Sequence, residues 1–148
     1  DFSRMVTGKC INILRGLSQM VKQMPFEEVE NHAKSFFDMY PMIQNIWFLT
    51  PDGLVKGKNL IYEEEYAVRN LPIYHIYNEG ADFSKKEHYY QLKNSILDVW
   101  LTMPFKSILT NALCIGGSVD LGSDYEDLLL CVHINYDAVL ESVKQVEE

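Results

Sequence analysis

Apolar residues recur at spacings of three and four over the first two dozen positions of the chain. Cys10, Ile13, Leu14, Leu17, Met20, Val21 and Met24 fall on one side of a 3.6-residue helix, which predicts a helix over 2–24. Pro25 breaks it. Phe26, Val29, Ala33, Phe36 and Phe37 then mark one face of a second helical stretch over 26–39, ended by Pro41. Beyond this point the helical period disappears. Ile43 to Leu49 reads as a buried strand, and Pro51-Asp52-Gly53 is a strong turn signal. A short strand, Leu54 to Lys56, follows, and Glu63 to Arg69 reads as a helical or irregular connection.

Ser84-Lys85-Lys86-Glu87 has the spacing of a capping box, with Ser84 at the N-cap and Glu87 three residues on. The helix it opens is expected to run to Leu97. Three strands are predicted after it, over Val99 to Thr102, Ser107 to Val119 and Leu128 to Asn135. The final ten or so residues read as a short exit helix. Strands interrupted by a single helical excursion fit an antiparallel α+β sheet.

The 148 residues suit one domain, and 47% hydrophobic against 23% charged is a globular composition. Nine Tyr, seven Phe and two Trp are enough to fill a core and line a pocket. A net charge of −8 repels phosphate, and Lys85-Lys86 is the longest basic run, so nucleic acid is not an expected partner. Apolar runs such as Leu128 to Val132 are too short to span a bilayer. The chain begins at Asp1 without a visible leader, which suits a segment of a longer protein. Glycine-rich phosphate loops, G-x-S-x-G and H-E-x-x-H are absent. No Ser, Cys or His lies in a motif that would activate it, so no enzyme activity and no catalytic residue is expected.

Cys10, Cys114 and Cys131 are too few for a disulfide framework and form no C-x-x-C. A hairpin centred between Gly122 and Ser123 would make Cys114 and Cys131 direct cross-strand neighbours. In that register they pack as reduced core thiols, the favoured outcome, or form a strained disulfide. His75, His88 and His133 have no metal-ligand spacing, and no metal or cofactor is expected.

The order of elements resembles the Cache family, the PAS-like sensor domains of bacterial chemoreceptors, histidine kinases and cyclic-di-GMP enzymes. Ile46-Trp47-Phe48-Leu49-Thr50-Pro51-Asp52-Gly53 is similar to the family's first strand and D-G turn. Asp82-Phe83-Ser84-Lys85-Lys86-Glu87-His88-Tyr89-Tyr90 is similar to its D-x-S-x-R-x-W/Y-Y/F phrase. Trp100 to Phe105 and Leu128 to Asp137 resemble the next strand-to-turn phrase and the closing strand. The resemblance covers nearly the whole chain. It implies a single module, 1–148: N-terminal helices over 1–40, a five-stranded antiparallel PAS-like sheet with its pocket over 41–137, and an exit helix over 138–148.

The same resemblance implies a ligand site on one sheet face, beneath the helix after the D-x-S phrase. Lys86 stands where the family has a carboxylate-clamping Arg, and pairs with an anion only as a point charge. His88 replaces an aromatic, and Tyr89 keeps the next one. His133 stands where amino-acid-binding relatives have an Asp, so the usual amine clamp is missing. Tyr74, Trp100, Thr102 and Ser118 complete the candidate pocket. The implied function is sensing of a small molecule, a carboxylate among the candidates, with a fused signalling output domain as partner. The alternative is a ligand-free dimerisation module. The first helix carries more apolar residues than a narrow stripe needs, which predicts that it packs on the sheet and on a second copy. The side of the membrane stays open: extracytoplasmic by family habit, cytoplasmic by the sparse free cysteines.

Overall fold

All seven residues of β1 (Ile43–Leu49) are buried, which puts this strand in the middle of the sheet and covers both its faces. The computed structural model describes residues 2–65 and 77–147. Within them β1 pairs antiparallel with β2 (Val55–Ile61) and with β6 (Leu129–Asn135). β6 pairs with β5 (Leu113–Asp120), and β5 with β3 (Val99–Leu101), giving the order β2-β1-β6-β5-β3. A two-residue strand, β4 (Phe105–Lys106), joins β5 beside β3. The expected five-stranded antiparallel sheet is the main path, and β4 adds a sixth strand.

Strand side chains alternate between faces, and two apolar clusters follow from that. On one face Ile46, Phe48, Leu130, Val132, Ile115 and Val119 pack under α1 (Phe2–Lys22) and α5 (Tyr136–Glu147). α1 buries Val6, Cys10, Ile13, Leu14, Leu17 and Val21 there, one side of the helix as its period requires. Its outward positions Arg4, Asn12, Arg15, Gln19 and Lys22 are exposed. The stretch over 26–39 is one α-turn (α2, Phe26–Val29), a 3-10 turn and α3 (Ala33–Met39). On the other face Trp47, Leu49, Leu129 and Cys131 meet Tyr77, Phe83 and Leu92 under α4 (Glu87–Lys93).

Four expectations need correction. β2 continues to Ile61, beyond the expected Lys56. α4 is shorter than predicted and has no side-chain N-cap. Ser84 does not cap it: the Ser84 N–H donates to Asp82 Oδ1 at 2.8 Å, an Asx turn that competes for the same residues. The strand expected from Ser107 begins at Leu113, because Ser107 Oγ accepts the Leu109 N–H and the Ser107 N–H donates to Ala112 O, folding 107–112 into a turn. The last hairpin is wider than expected. A 3-10 turn at Ser123–Tyr125 and left-handed Glu126 and Asp127 move its centre by two residues. Ser118 therefore faces Cys131, and Cys114 faces Asn135. All three cysteines are buried free thiols. Burial pushes Cys10 up to about 11 and Cys114 to about 12.

The turn after β1 places α4. Gly53 has φ +89°, its carbonyl accepts the Phe83 N–H at 2.7 Å, and a Cβ there would lie 2.9 Å from Ser84 Cα. Gly53→Ala is expected to destabilise the fold by more than about 1 kcal/mol, since it adds left-handed strain to a backbone clash. Gly8→Ala, in open space on α1, is expected to stabilise by about 0.5–1 kcal/mol. Chemical denaturation of both variants checks the contrast.

Candidate functional site

Two imidazoles lie under α4. His88 comes from the helix and His133 from β6, with ring centroids 5.6 Å apart. Both are buried. Trp47 stands next to both, 5.0 Å from His88 and 4.8 Å from His133. Tyr77, Phe83 and Phe105 complete an aromatic box, with Tyr77 and Phe83 5.1 and 5.9 Å from Trp47 and Phe105 5.4 Å from His133.

The box depends on a close approach of α4 to the sheet. Ser118 Oγ on β5 donates to the His88 carbonyl at 2.8 Å. Gly116, two residues back on the same face, leaves room for the ring: a Cβ there would lie 2.7 Å from His88 Nε2. Thr102 closes the next layer, its Oγ1 accepting the Gly116 N–H at 2.9 Å and donating to Met103 O at 2.7 Å. His133 is fixed from the sheet. Its Nδ1 lies 3.1 Å from Asn45 Oδ1, and Asn45 Nδ2 donates to Asn59 Oδ1 at 3.1 Å.

Burial without an anionic neighbour keeps both rings neutral. It pulls His88 down to about 4, against a smaller opposing effect of the Val132 carbonyl. His133 is held well below its ordinary value by burial first and by His88 second. Two nitrogens in the box, Trp47 Nε1 and His88 Nε2, are buried with no hydrogen-bond partner. Each such group costs about 1–3 kcal/mol against a satisfied one.

A cleft of about 480 Å³ opens beside the box. His88, His133 and Thr102 line its inner part, Phe83, Met103, Pro104 and Phe105 its apolar walls, and exposed Lys86 and Glu87 its mouth. That size suits a small organic ligand. A wider hollow of about 650 Å³ over β2 is edged by exposed polar side chains such as Lys58 and Glu79.

Of the residues expected from sequence, Lys86, His88, Thr102 and His133 thus converge on one cleft. Three do not line it. Tyr89 donates its hydroxyl to Pro51 O at 2.7 Å and ties α4 to the β1–β2 turn. Ser118 is engaged by the His88 carbonyl. Trp100 packs beside the second core cluster, its ring 5.7 Å from His88. Tyr74 and His75 lie outside the described residues. Sequence reasoning missed Trp47, Asn45, Phe83 and Phe105 as site residues. A signal was present in β1: Asn45 is a polar residue inside a buried strand, two positions from Trp47. Among the described residues no three His, Cys, Asp or Glu side chains gather as metal ligands. No described helix is long and apolar enough to cross a membrane.

Neither a protein-family profile nor a curated protein sequence matches the chain. Solved structures match its fold. The ligand-binding domain of the Campylobacter jejuni chemoreceptor Tlp3 in complex with L-valine aligns with a TM-score of 0.66 at 14% identity, over 96% of this chain and 57% of that one. The extracellular domain of the histidine kinase rpHK1S-Z16 aligns with a TM-score of 0.59 at 14% identity, over 95% and 54%. The Bacillus subtilis YkuI protein, with an EAL domain, aligns with a TM-score of 0.59 at 9% identity, over 87% and 32%. The chain spans little more than half of the chemoreceptor and kinase domains. The chain shares the α+β fold of these domains.

The neutral histidines set a pH dependence. Unfolded histidine titrates near about 6.5, whereas folded His88 takes its proton near pH 4. The unfolded state therefore binds more protons between those values. Stability is full above the unfolded value and falls as the pH drops toward the folded one, by up to about 1.4 kcal/mol per pH unit for His88. Thermal melts across this window are expected to show the fall, with a shallower slope in His88→Asn. Equal slopes would mean that His88 is not the group titrating.

Proposed function

We propose that this domain senses a small molecule bound in the α4 cleft, performs no catalysis, and passes occupancy to a fused output domain. The observation that carries the reading is the pair of partnerless nitrogens on Trp47 and His88 beside an open cleft. A plain apolar core has no use for either group, and a bound molecule that reaches this box would relieve their cost. The shared fold supports it, since the Tlp3 domain is described with L-valine bound. A chemoreceptor, a histidine kinase and a protein with an EAL domain among the similar structures support a fused output. In this proposal Lys86, His88, Thr102 and His133 contact the ligand. Tyr89, Trp100 and Ser118 hold the helix that covers it, and the single module spans 1–148.

Homodimerisation through α1 belongs to the same proposal. The outward face of α1 carries Arg4, Lys9, Arg15 and Lys22 and no carboxylate, so like charges oppose the contact and salt screens their repulsion. Sedimentation velocity is expected to show a dimer that strengthens as salt rises. A monomer at every salt concentration removes the dimer and leaves the sensor reading intact.

Both tryptophans of the chain, Trp47 and Trp100, lie within 6 Å of His88, ring to ring. Intrinsic fluorescence is therefore a direct reporter of the cleft. A screen of small metabolites is expected to yield compounds that change the emission and also raise the melting temperature. At a free concentration one hundred times the dissociation constant the gain in stability is about 2.7 kcal/mol. Compounds that raise the melting temperature with no change in emission would place binding elsewhere and refute the cleft.

A further inference from the structure

The side chains around the cleft constrain the charge and hydrogen-bond polarity of its occupant. Among the described residues that line it, Glu87 is the only carboxylate, and it is exposed at the mouth. Asp82, on the same loop, is exposed and engaged by the Ser84 N–H. Residues 66–76, outside the described part, contain no Asp or Glu in sequence. A buried ammonium without an anionic partner costs several kcal/mol. Among the described residues this interior offers no such partner.

The hydrogen-bond polarity follows from a chain of three side chains. Asn45 turns its Nδ2 to Asn59 Oδ1, which leaves its Oδ1 facing His133. His133 must then carry its proton on Nδ1, and its Nε2 is a bare lone pair. The neutral state of both rings agrees with this tautomer. The hydroxyls nearby are engaged, Thr102 with Gly116 and Met103, Ser118 with His88. His133 Nε2 thus remains as an acceptor among the flat walls of Phe83, Phe105 and His88, beside the deeper partnerless nitrogens of Trp47 and His88.

Resting on the sensor reading above, we propose that the ligand is a planar aromatic molecule without an ammonium group, whose N–H or O–H donates to His133 Nε2, and that amino acids are not ligands. Aromatic walls favour a flat ring by edge and face contacts. Lys86 meets the ligand only at the exposed mouth and is not the anchor.

The test titrates the labelled domain with indole and p-cresol, with their donor-blocked partners N-methylindole and p-methylanisole, and with L-valine and L-isoleucine. Imidazole nitrogen NMR, assigned with His133→Gln, is the readout. Indole and p-cresol are expected to shift His133 Nε2 at millimolar concentration. The methylated partners are expected to bind about tenfold more weakly, the scale of one lost hydrogen bond, and the amino acids to give no shift. In His133→Leu, with affinity read from the rise in melting temperature, the preference for the unblocked compounds should be lost. Equal affinity of blocked and unblocked compounds overturns the inference. So does tighter binding of either amino acid, or no shift with indole and p-cresol. The sensor reading fails separately, when none of these probes shifts an imidazole nitrogen and no screened compound changes the tryptophan emission. A screened ligand that carries an ammonium overturns the inference and leaves the sensor reading standing.

Discussion

A strand buried on both faces has to be covered twice, and most of this structure follows from how β1 meets that constraint. Ile46 and Phe48 lie under the paired terminal helices, a conventional apolar interface. Trp47 points the other way and has no long helix to cover it. What covers it is assembled from small pieces: the turn that begins at Tyr77, the loop at Phe83, seven residues of α4, and rings from β4 and β6. One large indole gathers these pieces because it has more surface than any of them alone can bury. Small, separately anchored pieces leave a cleft at their edges, lined by His88 and His133.

How much of this was legible in the sequence differed between the two faces. α1 and β1 were readable to within two residues, since both have long apolar patterns with a single period. The face under α4 was harder. Its helix is short, and Ser84-Lys85-Lys86-Glu87 carries two competing signals, a capping box and the Asx turn set by Asp82. The sheet's final register was misread because Gly122-Ser123-Asp124 has the chemistry of a tight hairpin. The chain uses it instead to enter a 3-10 turn with two left-handed residues after it. Four candidate site residues converge because β6 and the middle of α4 were legible, although both ends of α4 were not. Trp47 and Phe105 were missed because aromatic side chains on strands read first as core.

The electrostatics of the box follow from the same geometry. Histidine is often chosen to titrate near neutrality, but here both rings are stripped of water and given no carboxylate. They behave as flat, neutral, polar groups. That makes the floor of the cleft a surface for hydrogen bonding and ring contact rather than for charge. The chain's many acidic side chains stay outside, where Arg15 holds Asp98 at 3.1 Å and Lys22 holds Asp124 at 3.2 Å.

β5 carries contacts to both layers on successive residues. Gly116 and Ser118 receive α4, while Gly117 turns to Leu14 of α1, whose Cδ1 would lie 2.8 Å from a Cβ there. The strand is locked to β6 by seven residue pairs and to β3 by three. Sliding it would break those pairs and reverse which face each side chain occupies. The approaches of α4 and α1 therefore meet on adjacent residues of one strand, on its opposite faces.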